Sequence, residues 1–351
     1  MSLQLKSQQF VGIKFETVRN TAELTPDIVL KVSDDTVMLA KDFDTDEIIY
    51  GNRDNNWEKR PTSRKVEGSL TGRINIRDIG YLLKACMSNP TSNTNQGATT
   101  HTFRPLNLIS GTASTQLPTF TLFHSRGAQG IYKARGCVVS ELTLTIGETE
   151  ATFEATIMGL DEVEVTNQTE INNIKAAIVY STPDPKITFG NAVIKHATTY
   201  AGLNSGTVLN VKPDITITIN NNVNFDMSSQ STPNAELTNF DTYAGKFEAS
   251  VEISAFLRSA AKTYFDTYWA TTNGQHRAFQ IDLQNPAYGT LGTSSLFNTL
   301  RFNIPQTLIN ISSDGGLNDA LAMNITLENL VNTSAQGFSL EAILINTVNN
   351  Y

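Results

Sequence analysis

Cysteine is nearly missing from this sequence: Cys86 and Cys137 are the only two in 351 residues. Two thiols do not make the disulfide framework of a small secreted scaffold. Cys86 falls on the apolar face of a predicted helix and Cys137 opens a predicted strand, so both read as buried thiols of a protein made in a reducing compartment. Histidine is as scarce. The four, His101, His124, His196 and His276, are scattered, and none has a second ligand at the short spacings that metal sites use. Charge is thin as well: 17% of residues against the usual ~25%. The balance is acidic throughout, with 18 basic and 21 acidic residues in 1–175, and 8 and 13 in 176–351. No basic cluster interleaved with aromatics is present, which argues against nucleic-acid binding by phosphate neutralisation. No apolar run reaches the ~18 residues of a membrane span, and the first fifteen residues carry no signal-peptide pattern.

Catalytic signatures are missing too. No nucleophile elbow, phosphate-binding loop or dinucleotide fingerprint follows a predicted strand. Asp42, Asp44 and Asp46 open like a calcium loop, but Glu47 stands where the turn glycine belongs and Arg53 where the bidentate glutamate belongs. The constellation an enzyme needs is therefore not found.

What is present is alternation. Val, Ile, Phe, Leu and Thr at period two, punctuated by Gly, Asn, Asp and Pro, predict a mainly β chain. One order of elements occurs twice. "VEGSLTGRINIRDIGYLLKACM" alternates as a strand through Val66, Gly68, Leu70, Gly72 and Ile74, then places Ile79, Leu82, Leu83 and Cys86 on one helical face, predicting a helix over 76–87. "GKFEASVEISAFLRSAAKTYFDTYW" repeats this, with a strand through Phe247, Ala249, Val251 and Ile253 and a helix over 255–269. Each unit follows a long polar segment, 41–65 or 221–245. Each is followed by a strand and a long hairpin, over 138–158 with a turn at Gly147, and over 304–328 with a turn at Asp314–Gly316. A further low-complexity tract, 88–100 with its continuation to Pro118, reads as a third long loop. The repeat divides the chain into 1–170, a linker at 171–185, and 186–351.

Several stretches carry a family resemblance: "YGNRDNNWEKRPTSRKVEGSLTG", "GYLLKACM", "HTFRP" followed by "LPTFTLFHSRG", and "GCVVSELTLTIGETEATFEATIMG". Together they resemble the major tail tube protein of long-tailed (siphovirus-type) bacteriophages, in the form with two tube modules per chain. The likeness covers about residues 10–165 through these motifs, and 186–331 only through the repeated order. The resemblance implies two tandem β-sandwich modules, each flanked by one helix, whose strands join those of neighbours into a ring with an inner β-barrel. It implies trimers of pseudo-six-fold symmetry stacked into a tube through which DNA is ejected, with no enzymatic activity and no cofactor. The implied partners are further copies of the chain, tape-measure and tail-terminator proteins, and DNA in passing, without a membrane anchor. The implied location is the virion tail, assembled in the host bacterial cytoplasm. Another virion or capsid-type β protein, or a β-sandwich binding module such as a carbohydrate-binding adhesin, is the alternative.

Two sets of residues follow as candidates. The polar faces of the inner strands are expected to line the lumen: Glu67, Ser69, Thr71, Glu141, Thr143, Thr145, Glu150, Thr152, Glu154, Thr156, Glu248, Ser250 and Glu252. A merely solvated sheet face is the plainer reading of the same residues. The segment 41–65 is expected to contact the next ring through Asp44, Asp46, Glu47, Ile49, Tyr50, Arg53, Trp57, Lys59 and Arg60. Its first half is acidic, its second half basic, and its Ile, Tyr and Trp are unusual in a solvated loop.

Overall fold

The structure is a computed structural model of the chain. It describes residues 9–45, 59–105, 116–126, 130–180, 187–209, 214–226, 237–238, 241–256, 276–317, 320–328 and 337–351. The chain is mainly β, as its alternation demands. In order the strands are β1 (Val11–Phe15), β2 (Ile28–Leu30), β3 (Val32–Asp35), β4 (Met38–Thr45), β5 (Lys59–Arg73), β6 (Thr91–Asn95), β7 (Ala98–Phe103), β8 (Phe120–Ser125), β9 (Ile131–Gly147), β10 (Ala151–Gly159) and β11 (Asp161–Glu164). There follow β12 (Ala192–Ala197), β13 (Thr207–Leu209), β14 (Asp214–Asn220), β15 (Asn224–Asp226), β16 (Leu237–Thr238), β17 (Asp241–Tyr243), β18 (Glu248–Phe256), β19 (His276–Gln284), β20 (Thr299–Leu317), β21 (Ala320–Glu328) and β22 (Glu341–Asn346). Two α-helices are described, α1 (Ile79–Cys86) and α2 (Gln168–Ala177).

The long strand β9 explains the architecture. Its first half pairs with β8 and β11, and its second half with β10 and β14. It therefore passes from one set of partner strands to another along its length. β20 does the same with β19 and β22 along its first half and β21 along its second. Core residues alternate along each of these strands. Leu142, Leu144 and Ile146 of β9 meet Ala151, Phe153 and Ala155 of β10 and Ile215, Ile217 and Ile219 of β14, all buried in one cluster. Helix α1 lays Ile79, Leu82, Leu83 and Cys86 on that cluster. The core is continuous from the first half of the chain into the second.

Glycines 68 and 72 of β5 let the β3–β4 corner pass close over the sheet. A Cβ on Gly68 would lie 2.5 Å from the Val37 Cα, at a φ of +152° that L residues rarely adopt. One on Gly72 would lie 2.6 Å from the Lys31 carbonyl.

Five expectations change. The segment 41–65 is not a loop at its ends: β4 and β5 pair from Met38↔Glu67 out to Thr45↔Lys59, forming an arm whose tip, 46–58, lies outside the described residues. The tract 88–100 is the hairpin β6–β7, because Gln96 (φ 52°) and Gly97 (φ 84°) supply the two positive φ values of a tight turn. The stretch expected as linker holds α2, capped by the Asn167 side chain, which accepts from the N–H groups of Thr169 and Glu170. In the second hairpin the ladder continues past the Asp-Gly-Gly to Leu317↔Ala320, with an irregularity between Asp314 and Leu317, and residues 318–319 lie outside the described residues. The segment 221–245 is not featureless either: it pairs β15 with β17 and sets β16 parallel to β5 at Ser63–Arg64. The expected helix over 255–269 falls, from residue 257, outside the described residues, and β18 continues to Phe256.

Candidate functional site

One broad polar feature is a face of the sheet ordered β3/β4–β5–β10–β9–β14–β18–β21–β20. Its apolar side is the core just described, and period two leaves the other side polar. Three rows cross it. Arg73, Thr152, Thr145, Thr216, Glu252 and Thr326 are successive cross-strand partners. So are Thr71, Glu154, Thr143, Thr218 and Ser250. So are Ser69, Thr156, Glu141, Asn220 and Glu248.

Eleven of the thirteen sequence-derived candidates stand in these rows. The remaining two, Glu67 and Glu150, flank them. Glu67 is opposite Met158 and ion-pairs with Lys65. Glu150 lies in the turn before β10 and ion-pairs with Arg73. Residues from both halves of the chain thus share one surface of hydroxyls, amides and carboxylates. Asn220 donates to Glu141 Oε2 at 2.7 Å, and Lys246 pairs with Glu248 at 2.9 Å. Within the rows the carboxylates of Glu141, Glu154, Glu248 and Glu252 face the single cation Arg73. The strand β14 escaped the candidate set, although "ITITIN" places Thr216, Thr218 and Asn220 in the polar phase; its alternation was the signal.

This sheet has two open ends. On one, among the described residues, β3 and β4 pair with β5 only. On the other, β20 beyond Leu308 has β21 on one side and, among the described residues, no strand on the other. The corresponding stretch of β9 has β14 there. The described strands close no barrel within one chain. Of the arm candidates, Asp44, Lys59 and Arg60 have their backbones in β4 and β5; Asp46, Glu47, Ile49, Tyr50, Arg53 and Trp57 lie outside the described residues. The described part of the arm exposes Met38 and Phe43.

A sequence model described as phage tail tube protein matches residues 6–324. The chain belongs to the phage tail tube protein family. No curated protein matches it. This tail tube protein is a structural component of the virion tail that self-assembles into a tube, and it is not an enzyme. No group of three His, Cys, Asp or Glu residues could hold a metal ion among the described residues. Both cysteines of this tail tube protein are free and buried, and burial pushes the Cys86 thiol up to about 12, which keeps it unreactive. No helix among the described residues is long and apolar enough to cross a membrane.

Two polar clusters tie the halves of the tail tube chain together. Arg19 clamps Asp241 through Nε at 2.9 Å and Nη2 at 2.8 Å, and also donates to the Leu117 and Thr242 carbonyls. Asn20 and Gln116 donate to the same carboxylate. Burial would raise the Asp241 pKa, but these bonds and the Arg19 charge hold it below the ordinary range. In the second cluster, buried Glu341 accepts from Arg104 at 2.7 Å, Asn303 at 2.9 Å and Tyr200 at 3.1 Å. It sits where β22 takes β7 of the first half as its neighbour.

Proposed function

We propose that three chains close into a pseudo-six-fold ring, that the polar rows line its lumen, and that stacked rings form the tube of a siphovirus-type tail through which DNA is ejected. The observation that carries this reading is the β9–β14 junction. It joins the two halves edge to edge by backbone hydrogen bonds from Gly147↔Asp214 to Glu141↔Asn220. The open side of β20 is the counterpart of that side of β9, and the open β3–β4 edge lies at the far end of the sheet. Unpaired strand edges are aggregation hazards unless paired or covered. Pairing β20 of one chain with the β3–β4 edge of the next repeats the internal junction between chains, a head-to-tail contact that closes when the rotation allows.

The chain reads as two tube modules, 1–170 and 186–351, joined through 171–185, and the matching changes of partner along β9 and β20 support this. Each chain brings eight strands to the face. At about 4.8 Å per strand and a tilt of about 40°, three chains give a backbone circle about 48 Å across. Side chains narrow that opening and leave room for a double helix. DNA carries one charge per ~1.7 Å, so a basic wall would hold it, whereas Glu141, Glu154, Glu248 and Glu252 among hydroxyls repel it weakly.

The arm β4–β5 is the ring-to-ring contact, through Asp44, Asp46, Glu47, Ile49, Tyr50, Arg53, Trp57, Lys59 and Arg60. Its support is a hairpin that runs past the sheet with Met38 and Phe43 exposed. The tape-measure protein fills the lumen, a terminator caps the tube, and assembly takes place in the host bacterial cytoplasm. Electron cryomicroscopy of the purified, self-assembled protein tests the reading. Three chains per ring with Thr143, Glu154 and Thr218 facing the channel are expected. Closed shells, or these residues on the exterior, would overturn it.

A further inference from the structure

His124 is the one described histidine enclosed by two carboxylates. Its side chain, 1% exposed, has Nδ1 3.0 Å from Asp35 Oδ2 and Nε2 2.5 Å from Glu162 Oε1. The groups that face it come from four directions. Asp35 ends β3, Glu162 is in β11, Arg126 follows β8 and pairs with Glu162 at 2.8 Å, and Tyr132 of β9 stands edge-on to the imidazole. Carboxylates only accept, so both contacts require both ring N–H groups, which only the imidazolium has. Two cations then balance two anions in a buried pocket.

The pocket is also the anchor of the β3–β4 corner. Glu162 Oε2 accepts the Leu39 N–H at 3.0 Å, Asp35 Oδ1 accepts the Val37 N–H at 3.0 Å, and Arg126 donates to the Val37 carbonyl. We propose that His124 is a pH-sensitive pin: protonated, it fixes the β3–β4 corner, and deprotonated, it releases Asp35 and with it the strand edge and arm root.

The asymmetry of the site decides which contact goes. Glu162 keeps Arg126 and the Leu39 amide, and a neutral imidazole with its proton on Nε2 still donates to it. Asp35 then meets the Nδ1 lone pair, and its remaining bond is local. Burial by itself would lower the His124 pKa; the hydrogen bonds and charges of Asp35 and Glu162 outweigh it and raise the value. Glu162 is held below its ordinary value, against its burial, chiefly by the His124 hydrogen bond and charge. A raised histidine stabilises below its unfolded pKa and loses that contribution as pH rises through the folded value; a lowered glutamate stabilises above its unfolded pKa and loses it as pH falls. The pin is therefore strongest between the two. That its release weakens assembly rests on the ring reading above.

The test is amide exchange and histidine NMR on the full chain across pH 5–10, alongside tube growth by light scattering. His124 is expected to titrate above the ordinary histidine value. Between the ordinary histidine value and that midpoint, protection of the Val37 amide should fall by about tenfold per pH unit, the slope of one released proton, and level off above it, with Leu39, whose amide Glu162 keeps, changing less. Tube growth should slow with the same midpoint. The variant Asp35→Asn should flatten the amide and tube-growth responses, because an amide can donate to or accept from a neutral imidazole, and should lower the His124 midpoint by removing one of its two anions. His124 neutral below its ordinary pKa, or corner protection that ignores pH in the wild type, would overturn the pin. An amide or tube-growth response to pH that survives in Asp35→Asn would overturn the release of Asp35. A chain that makes no tubes at any pH would overturn the ring reading and the assembly consequence, while the amides still decide the pin.

Discussion

Asp241 collects Arg19, Asn20, Gln116 and its own neighbouring amide on one carboxylate. Replacing it with Ala strands a partly buried guanidinium. Removing one member of a buried pair costs about 3–5 kcal/mol, and the partial exposure of Arg19 reduces this to about 2 kcal/mol. Urea unfolding of Asp241→Ala measures it. The wild-type contribution is present above the unfolded Asp pKa and lost as pH falls through the depressed folded value, so the variant should show a smaller acid-induced loss of stability. The pairing was not legible in the sequence: Arg19 and Asp241 are 222 positions apart, and neither sits in a motif. Gly80 makes a second residue-scale case. A Cβ there would lie 2.3 Å from the Tyr351 ring, whose hydroxyl donates to the Arg77 carbonyl. Gly80→Ala should displace that ring, read as loss of the Tyr351 fluorescence environment and a lower Tm, even though alanine is the better helix former.

Among the elements, legibility followed period. β5 from Val66 onward, β9, β10, β14 and the inward residues of α1 were readable because each has one buried face, and the two-residue alternation or helical stripe records it. β6–β7 was misread because "TSNTN" is exposed at every position and leaves no stripe; only its pairing to β22 through β7 makes it a strand. α2 was missed because its stripe is short. Ile171, Ile174 and Ile178 cover Phe10, Val29 and Phe123, while the rest of the helix is polar. Its cap predicts a modest effect: Asn167→Ala should cost about 1 kcal/mol, visible as earlier thermal loss of α2 amide protection. The arm predicts a separable one. Replacing 44–60 with a short Gly/Ser linker should leave a folded subunit, with unchanged far-UV circular dichroism, that forms rings but does not stack. Normal tubes from that variant would place stacking elsewhere, in the first instance in 221–245.

For the whole molecule, the polar rows make a claim about transport. Glu141→Lys with Glu154→Lys changes no core contact, so tubes should assemble at the wild-type yield. DNA passage should slow and become salt-dependent, since each added lysine gives phosphate a partner. Ejection rates from reconstituted particles at two salt concentrations would measure it. The polar and apolar faces of the strands were legible from the sequence, but the seam between halves was not. Strand pairing across a seam depends on which edges are left bare, and no local pattern encodes that. Eleven lumen candidates lie in three rows because alternation fixes the face, whereas β14's place beside β9 is a property of the assembled sheet.

The pairing of β7 with β22 has a consequence in time. Phe103 and Ala342 are partners in one ladder, and Asn346 donates to the Ile76 carbonyl just before α1. A nascent chain at about 5–20 residues per second waits roughly 10–50 s between making the first of these strands and the second. During that interval β7 has no β22 to pair with, and the side of α1 next to it is bare. The half translated first is thus the half completed last, and long-range pairing of this kind is slow to form. The β3–β4 edge is translated long before β22, yet the sheet that carries it is finished only when β22 docks. On the ring reading proposed above, polymerisation through that edge is deferred until β22 has been made, which would keep polysomes from seeding tubes.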